Sequence, residues 1–287
     1  DWSSDVCSSD LYLSDLPEPA ACSAVDAPVD ASCRFLMAKW FGEIAGFCHY
    51  KTETVAIAMN CLDRFVSTPG GREILFDRNL YQLAAMTALY SSVKIHEQEA
   101  MDPALVSTLS RGVHSPEAVE AMERRMLMAV QWRVNQPSAM SFARLMISLI
   151  PDQYLDSHQK EALLDITKLQ IDMTINEYDF CTHYASSVAF ACVLNAIESI
   201  TDDGMFYANV ETTMGEVVNA DDTSVQDLRF AIYELMTGSD DDVGQRMNKT
   251  SAKRGVGSSF TMGGNVSKRN SVHSSPRTVA ATSISTR

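Results

Sequence analysis

An all-α fold of two helical sets in tandem, followed by a polar basic tail, is what this sequence predicts. Three observations carry that expectation. Apolar residues recur at three- and four-residue spacing over most of residues 31–236. Gly and Pro fall where those runs stop, and no stretch alternates apolar and polar residues as a half-buried strand would. At 287 residues and 46% hydrophobic content, the chain has room for one large domain or two ordinary ones with a real core.

Residues 1–11, Asp1-Trp-Ser-Ser-Asp-Val-Cys-Ser-Ser-Asp-Leu11, look like a translated sequencing adapter and are set aside from fold reasoning. The natural N-terminus is then expected to lie outside this sequence. Residues 12–30, rich in Pro, Ala and Asp, read as an irregular lead-in.

The first helical set occupies residues 31–136. Phe35, Leu36, Trp40, Ile44 and Phe47 form one stripe, and Val55, Met59, Leu62, Phe65 and Val66 the next. Thr68-Pro-Gly-Gly71 breaks the chain before a third stripe of Leu83, Met86, Tyr90 and Val93. Pro103 opens a short helix to Leu109, stopped by Gly112. Ser115-Pro116-Glu117 is a strong helix start: a hydroxyl N-cap, Pro at the first helical position and an acid at the positive dipole end. That helix runs through Val119, Met122, Met126, Leu127 and Val130.

The second set, residues 137–237, predicts helices over 142–150, 158–173, 185–200 and 224–236. The third of these is apolar on most faces and belongs at a domain centre. Nothing marks an element between Ile200 and Ser224. Beyond Gly238 apolar residues thin out, and residues 238–287 are expected to be a disordered basic tail.

Net charge is −14, unevenly spread: Gln245 to Arg287 holds eight Lys/Arg and no acid, so the other 244 residues carry −22. An acidic body speaks against nucleic-acid binding, which needs a basic face. The seven cysteines form no C-x-x-C pair, which favours packed thiols in a reducing compartment over a zinc site. The longest apolar stretch, Val188 to Ile197, is too short to span a bilayer, so no membrane partner is expected.

One set of residues is far more specific than the composition. Cys33-Arg34-Phe-Leu36-Met37-Ala-Lys39-Trp40, Glu53-Thr54 and Asn60-Cys-Leu-Asp63-Arg64-Phe65 fall in order between Cys33 and Phe65, and Lys94 and Glu123 follow 29 residues apart. This set resembles the N-terminal box of cyclins, the activating subunits of protein kinases, whose pattern is Met-Arg-x-x-Leu-x-Asp-Trp, then Glu-Thr, then Asn-x-x-Asp-Arg-Phe. The resemblance covers residues 31–136 well and 137–237 weakly. It implies two tandem cyclin-like five-helix folds, the second diverged. Lys39 departs from the family's Asp, and Cys33 from its Met.

What the resemblance implies about sites is specific. Arg34 and Asp63 match a structural pair joining the first two helices, a fork suited to partial burial. Lys94 and Glu123, with Ile95, Glu97 and Leu127, match the surface that grips a kinase. Lys94 can lay its stem on apolar surface, and Glu123 sits on its helix's apolar stripe, where a carboxylate needs a donor. Leu36, Met37, Trp40, Glu43 and Gln82 fall where some cyclins build a groove for Arg-x-Leu substrate peptides. There apolar side chains would take the Leu and Glu43 the Arg. Leu36 and Trp40 equally suit the core.

Function is therefore expected to be non-enzymatic: a regulatory subunit that binds and activates a cyclin-dependent kinase in cell-cycle control, found in nucleus and cytoplasm. A cyclin-fold scaffold or transcription-regulatory protein that activates no kinase is the alternative. No catalytic residues, metal ligands or cofactor site are predicted: the six His show no ligand spacing, and neither Gly pair is a phosphate loop. Ser275, in Ser275-Pro276-Arg277, is a candidate for proline-directed phosphorylation.

Overall fold

The computed structural model describes residues 28–201, 203–218 and 222–238; the lead-in before residue 28 and the tail with Ser275 lie outside the described residues. Among the described residues the chain forms ten α-helices, two short 3-10 turns and no strand. The first five helices are α1 (Ala31–Cys48), α2 (Thr52–Ser67), α3 (Arg78–His96), α4 (Pro103–Leu109) and α5 (Pro116–Ala129). Four of them start on a side-chain cap: Asp30, Asp77, Asp102 and Ser115 each accept a hydrogen bond from a first-turn N–H. The start of α2 has no such cap of its own.

At the centre of this set, α3 touches all four of its partners. Tyr81 and every residue from Leu83 to Val93 are buried. The sequence predicts only a four-residue stripe here. Ala84, Ala85, Ala88, Ser91 and Ser92 explain the difference, because small side chains let neighbours close in all round. The one buried Thr of this stretch, Thr87, satisfies its hydroxyl on Leu83 O at 2.7 Å. The face of α1 also differs from expectation. Cys33, Met37, Trp40, Phe41 and Ile44 are buried, whereas Phe47 is 41% exposed and Phe35 and Leu36 lie at the flank.

Gly71 makes the turn from α2 toward α3. Its N–H donates to Thr68 O, and a Cβ there would sit 2.0 Å from Phe65 O and 2.6 Å from that carbonyl carbon. Both atoms are backbone, so a side-chain rotation gives no relief. Gly71→Ala is expected to cost about 1–3 kcal/mol, read as a lower urea midpoint at unchanged slope. A change under about 0.5 kcal/mol would mean that the turn shifts freely.

The second set is α6 (Ala139–Leu149), α7 (Ser157–Thr174), α8 (Ala185–Ile200), α9 (Gly204–Val218) and α10 (Asp222–Thr237). Its centre is α8, buried over Val188–Leu194 and at Ala196 and Ile197, and in contact with the other four. The α9 helix is the element the sequence does not mark. Among its described side chains it buries Phe206, Val210 and Met214, a stripe one residue wide at i, i+4, i+8. Gly204, Gly215 and several β-branched residues further blur its helical signal. The two sets keep separate apolar cores, and Cys33, Cys61 and Cys192 are packed within them as thiols. No helix among the described residues is long and apolar enough to cross a membrane.

Candidate functional site

The last turn of α3 meets the middle of α5 at a charged junction. Lys94 Nζ lies 2.6 Å from Glu123 Oε1. Ser91 Oγ donates to the same carboxylate oxygen at 3.1 Å, so the acid on the apolar stripe has the donors that burial demands. Lys94 also lies 4.8 Å above the Tyr90 ring and donates to its hydroxyl at 3.4 Å. Burial disfavours the ammonium, but the hydrogen bond and charge of Glu123, with Tyr90, outweigh it and raise the Lys94 pKa. Lys94 stays 43% exposed while Glu123 is 14% exposed. Sequence spacing brings these two residues to one surface; that they form a single ion pair is visible only in the fold.

Ile95, next to Lys94, is exposed and Leu127, one turn after Glu123, is half-buried; Met128 of α5 and Trp132 past its end are also exposed. Trp132 sits in a left-handed conformation (φ 60°) with its N–H on Leu127 O. Neither Met128 nor Trp132 is flagged by the sequence, because both lie off the buried stripe and exposure has no sequence signature. Glu97 faces inward instead. Its carboxylate accepts from Lys51 N at 2.9 Å and from the Thr54 hydroxyl, and so supplies the cap that α2 lacks.

Two further charge sites fasten the helical sets together. Arg34 grips Asp63 with Nε–Oδ1 at 3.0 Å and Nη2–Oδ2 at 2.9 Å, the predicted fork. Its remaining Nη1 donates to Ile175 O at 3.0 Å, at the negative end of α7. Glu53 accepts from Ser138 Oγ, the N-cap of α6, from Ser141 Oγ at 3.1 Å and from Arg144 Nη1 at 2.8 Å. No sequence signal announces these reaches, since the partners lie 85 to 141 residues away.

Burial alone would raise the Glu53 pKa; the bonds from Ser138, Arg144 and Ser141 outweigh it and hold the carboxyl below its ordinary 4.5. A depressed acid contributes stability above its unfolded pKa and loses it as pH falls through the folded one. The urea midpoint should therefore drop below about pH 4.5 by a component absent in Glu53→Gln. Parallel pH profiles of parent and variant would sink this account.

The five residues matched to a peptide groove are split by the fold. Met37 and Trp40 are buried, Leu36 is half-buried and Glu43 exposed. Gln82 Oε1 lies 3.1 Å from His114 Nε2. Among the described residues no group of His, Cys, Asp and Glu is placed to hold a metal ion.

Residues 12–135 match the family model described as cyclin, N-terminal domain. Those residues thus carry a cyclin N-terminal domain. The chain is 22% identical over 190 residues to a G2/mitotic-specific cyclin-B of Hydra vulgaris, covering 64% of the chain and 48% of that protein. It is 25% identical over 162 residues to Cyclin-D1-1 of Oryza sativa subsp. japonica, covering 55% and 42%. It thus spans under half the length of the curated relatives it matches. The X-ray structure of a viral cyclin from herpesvirus saimiri superposes with a TM-score of 0.56 at 12% identity, covering 78% of this chain and 92% of that one. At that identity the likeness concerns the fold: all-α, two five-helix sets in tandem, the second diverged.

Proposed function

We propose that this chain is a cyclin, a non-catalytic regulatory subunit that binds and activates a cyclin-dependent serine/threonine kinase in cell-cycle control. The observation that carries the reading is the Lys94–Glu123 pair at the α3–α5 junction, within the matched cyclin domain and beside exposed Ile95. Lys94 has donors and Glu123 acceptors to offer main-chain groups of a partner helix, and the neighbouring Ile95 and Leu127 add apolar surface. Binding the active kinase conformation better than the inactive one holds the kinase's mobile helix inward and shifts its population toward activity.

The test is capture of cyclin-dependent kinases from the source cell by the full chain and by a Lys94→Glu/Glu123→Lys variant. The exchange keeps an opposite-charge pair inside the chain while inverting what the partner meets. Capture and histone-kinase activity with the parent, both lost in the variant, are expected. A well-folded parent that captures no kinase would overturn the reading in favour of a scaffold.

A further inference from the structure

The outer face of α10 is an aromatic strip bordered by carboxylates. Phe230 and Tyr233, one turn apart and each 63% exposed, lie on it, with exposed Met236 at one edge. Asp227, three residues before Phe230, and Glu234, four after it, border the other edge. The only cation of this helix, Arg229, is already engaged, with Nη1 donating to Gln226 Oε1 at 3.1 Å. It donates to Asn195 Oδ1 at 2.8 Å and Glu198 Oε2 at 2.5 Å and lies over the Tyr207 ring. Exposed on the same helix with the aromatic strip are Gln226 and Thr237, and at its edge Asp227 and Glu234.

The surrounding charge has the same sign. Residues 137–237 hold sixteen Asp/Glu against four Lys/Arg, a formal −12, whereas residues 31–136 hold eleven of each. The acidity of the folded body is thus confined to the second set, where this strip lies. Aromatic faces beside carboxylates favour guanidinium and ammonium groups, which can stack on the ring and pair with the acid together.

We propose that this face docks an Arg/Lys-rich polypeptide segment of a partner protein. The docking needs no kinase, and it uses the second helical set rather than the Lys94–Glu123 surface. Long-range attraction steers the basic segment to the second set, and Phe230 and Tyr233 fix where it lands.

The test is fluorescence anisotropy of a short labelled peptide of alternating Arg and Ser against the full chain at low and moderate salt. Phe230→Ser/Tyr233→Ser, which leaves net charge unchanged, should weaken binding by about tenfold. Asp227→Asn should weaken it and flatten its salt dependence. All three side chains are exposed, so helicity and urea midpoint should match the parent in both variants. Equal binding by the aromatic variant, or none by the parent at low salt, overturns the proposal. So does a chain dimer that the aromatic variant abolishes while the peptide fails to bind, which would give the face to a second copy.

Discussion

Replacing Arg34 by Leu should lower stability by about 3 kcal/mol and uncouple the two helical sets. Removing one partner of a buried pair costs about 3–5 kcal/mol, because the other charge stays desolvated. Asp63 keeps 20% of its side chain exposed while Arg34 keeps 7%, which places the cost at the lower end. Arg34→Leu also leaves Ile175 O without its donor at the end of α7. That bond spans the two sets, so thermal unfolding of the variant should broaden or split into two steps. Arg34→Leu/Asp63→Leu should recover part of the loss, since no unpaired carboxylate then remains. A loss under about 1 kcal/mol would show that the fork is a surface pair in energetic terms. A single sharp transition would show that Glu53 and apolar contact suffice to hold the sets together.

Legibility in the sequence followed how each element is built. The α8 helix could be read to the residue, Ala185–Ile200, because a run apolar on nearly every face has no other stable placement. Caps such as Ser115 with Pro116 were equally plain, since the donor geometry of a helix start selects few side chains. The α9 helix escaped notice because a stripe of Phe206, Val210 and Met214 is too narrow to stand out among Gly, Thr and Val. The true breadth of burial on α3 escaped for another reason: Ala and Ser carry no hydrophobic signal, yet they are what allows close packing.

The charge sites divide in the same way. Arg34 with Asp63 could be paired because the cyclin resemblance marks both members, whereas it marks Lys94 and Glu123 as sharing a surface without announcing their ion pair. Glu53 with Ser138 and Arg144 could not be paired, since only the docking of α6 beside α2 brings them together. Glu97 shows the limit most sharply. Its place after Lys94 suggests an outward role, but α2 begins without a side-chain cap of its own, and the Glu97 carboxylate turns inward to provide one.

Glu123→Ala should weaken kinase binding far more than it weakens the fold, and that contrast is the sharpest check on the proposed role. Within the free chain the pair is half open to solvent on the Lys94 side, and such pairs contribute about 0–1 kcal/mol. Against a docked partner the same carboxylate loses its water. Truncating a desolvated, hydrogen-bonded charge at an interface costs about 2–5 kcal/mol, which is roughly 30- to several-thousand-fold in Kd. Ser91→Ala removes only the 3.1 Å bond that orients Glu123, so it should fall between parent and Glu123→Ala in affinity. The variants would be ranked by titration against one captured kinase, beside urea midpoints of the same preparations. If Glu123→Ala lost equal free energy in both measurements, the carboxylate would be a support for α3 and α5. The kinase contact would then have to rest on apolar neighbours such as Ile95 and Leu127. A large loss in Kd with an unmoved midpoint instead makes the ion pair a preformed handle: Glu123 holds Lys94 in place before the partner arrives, so less side-chain freedom remains to be lost on binding.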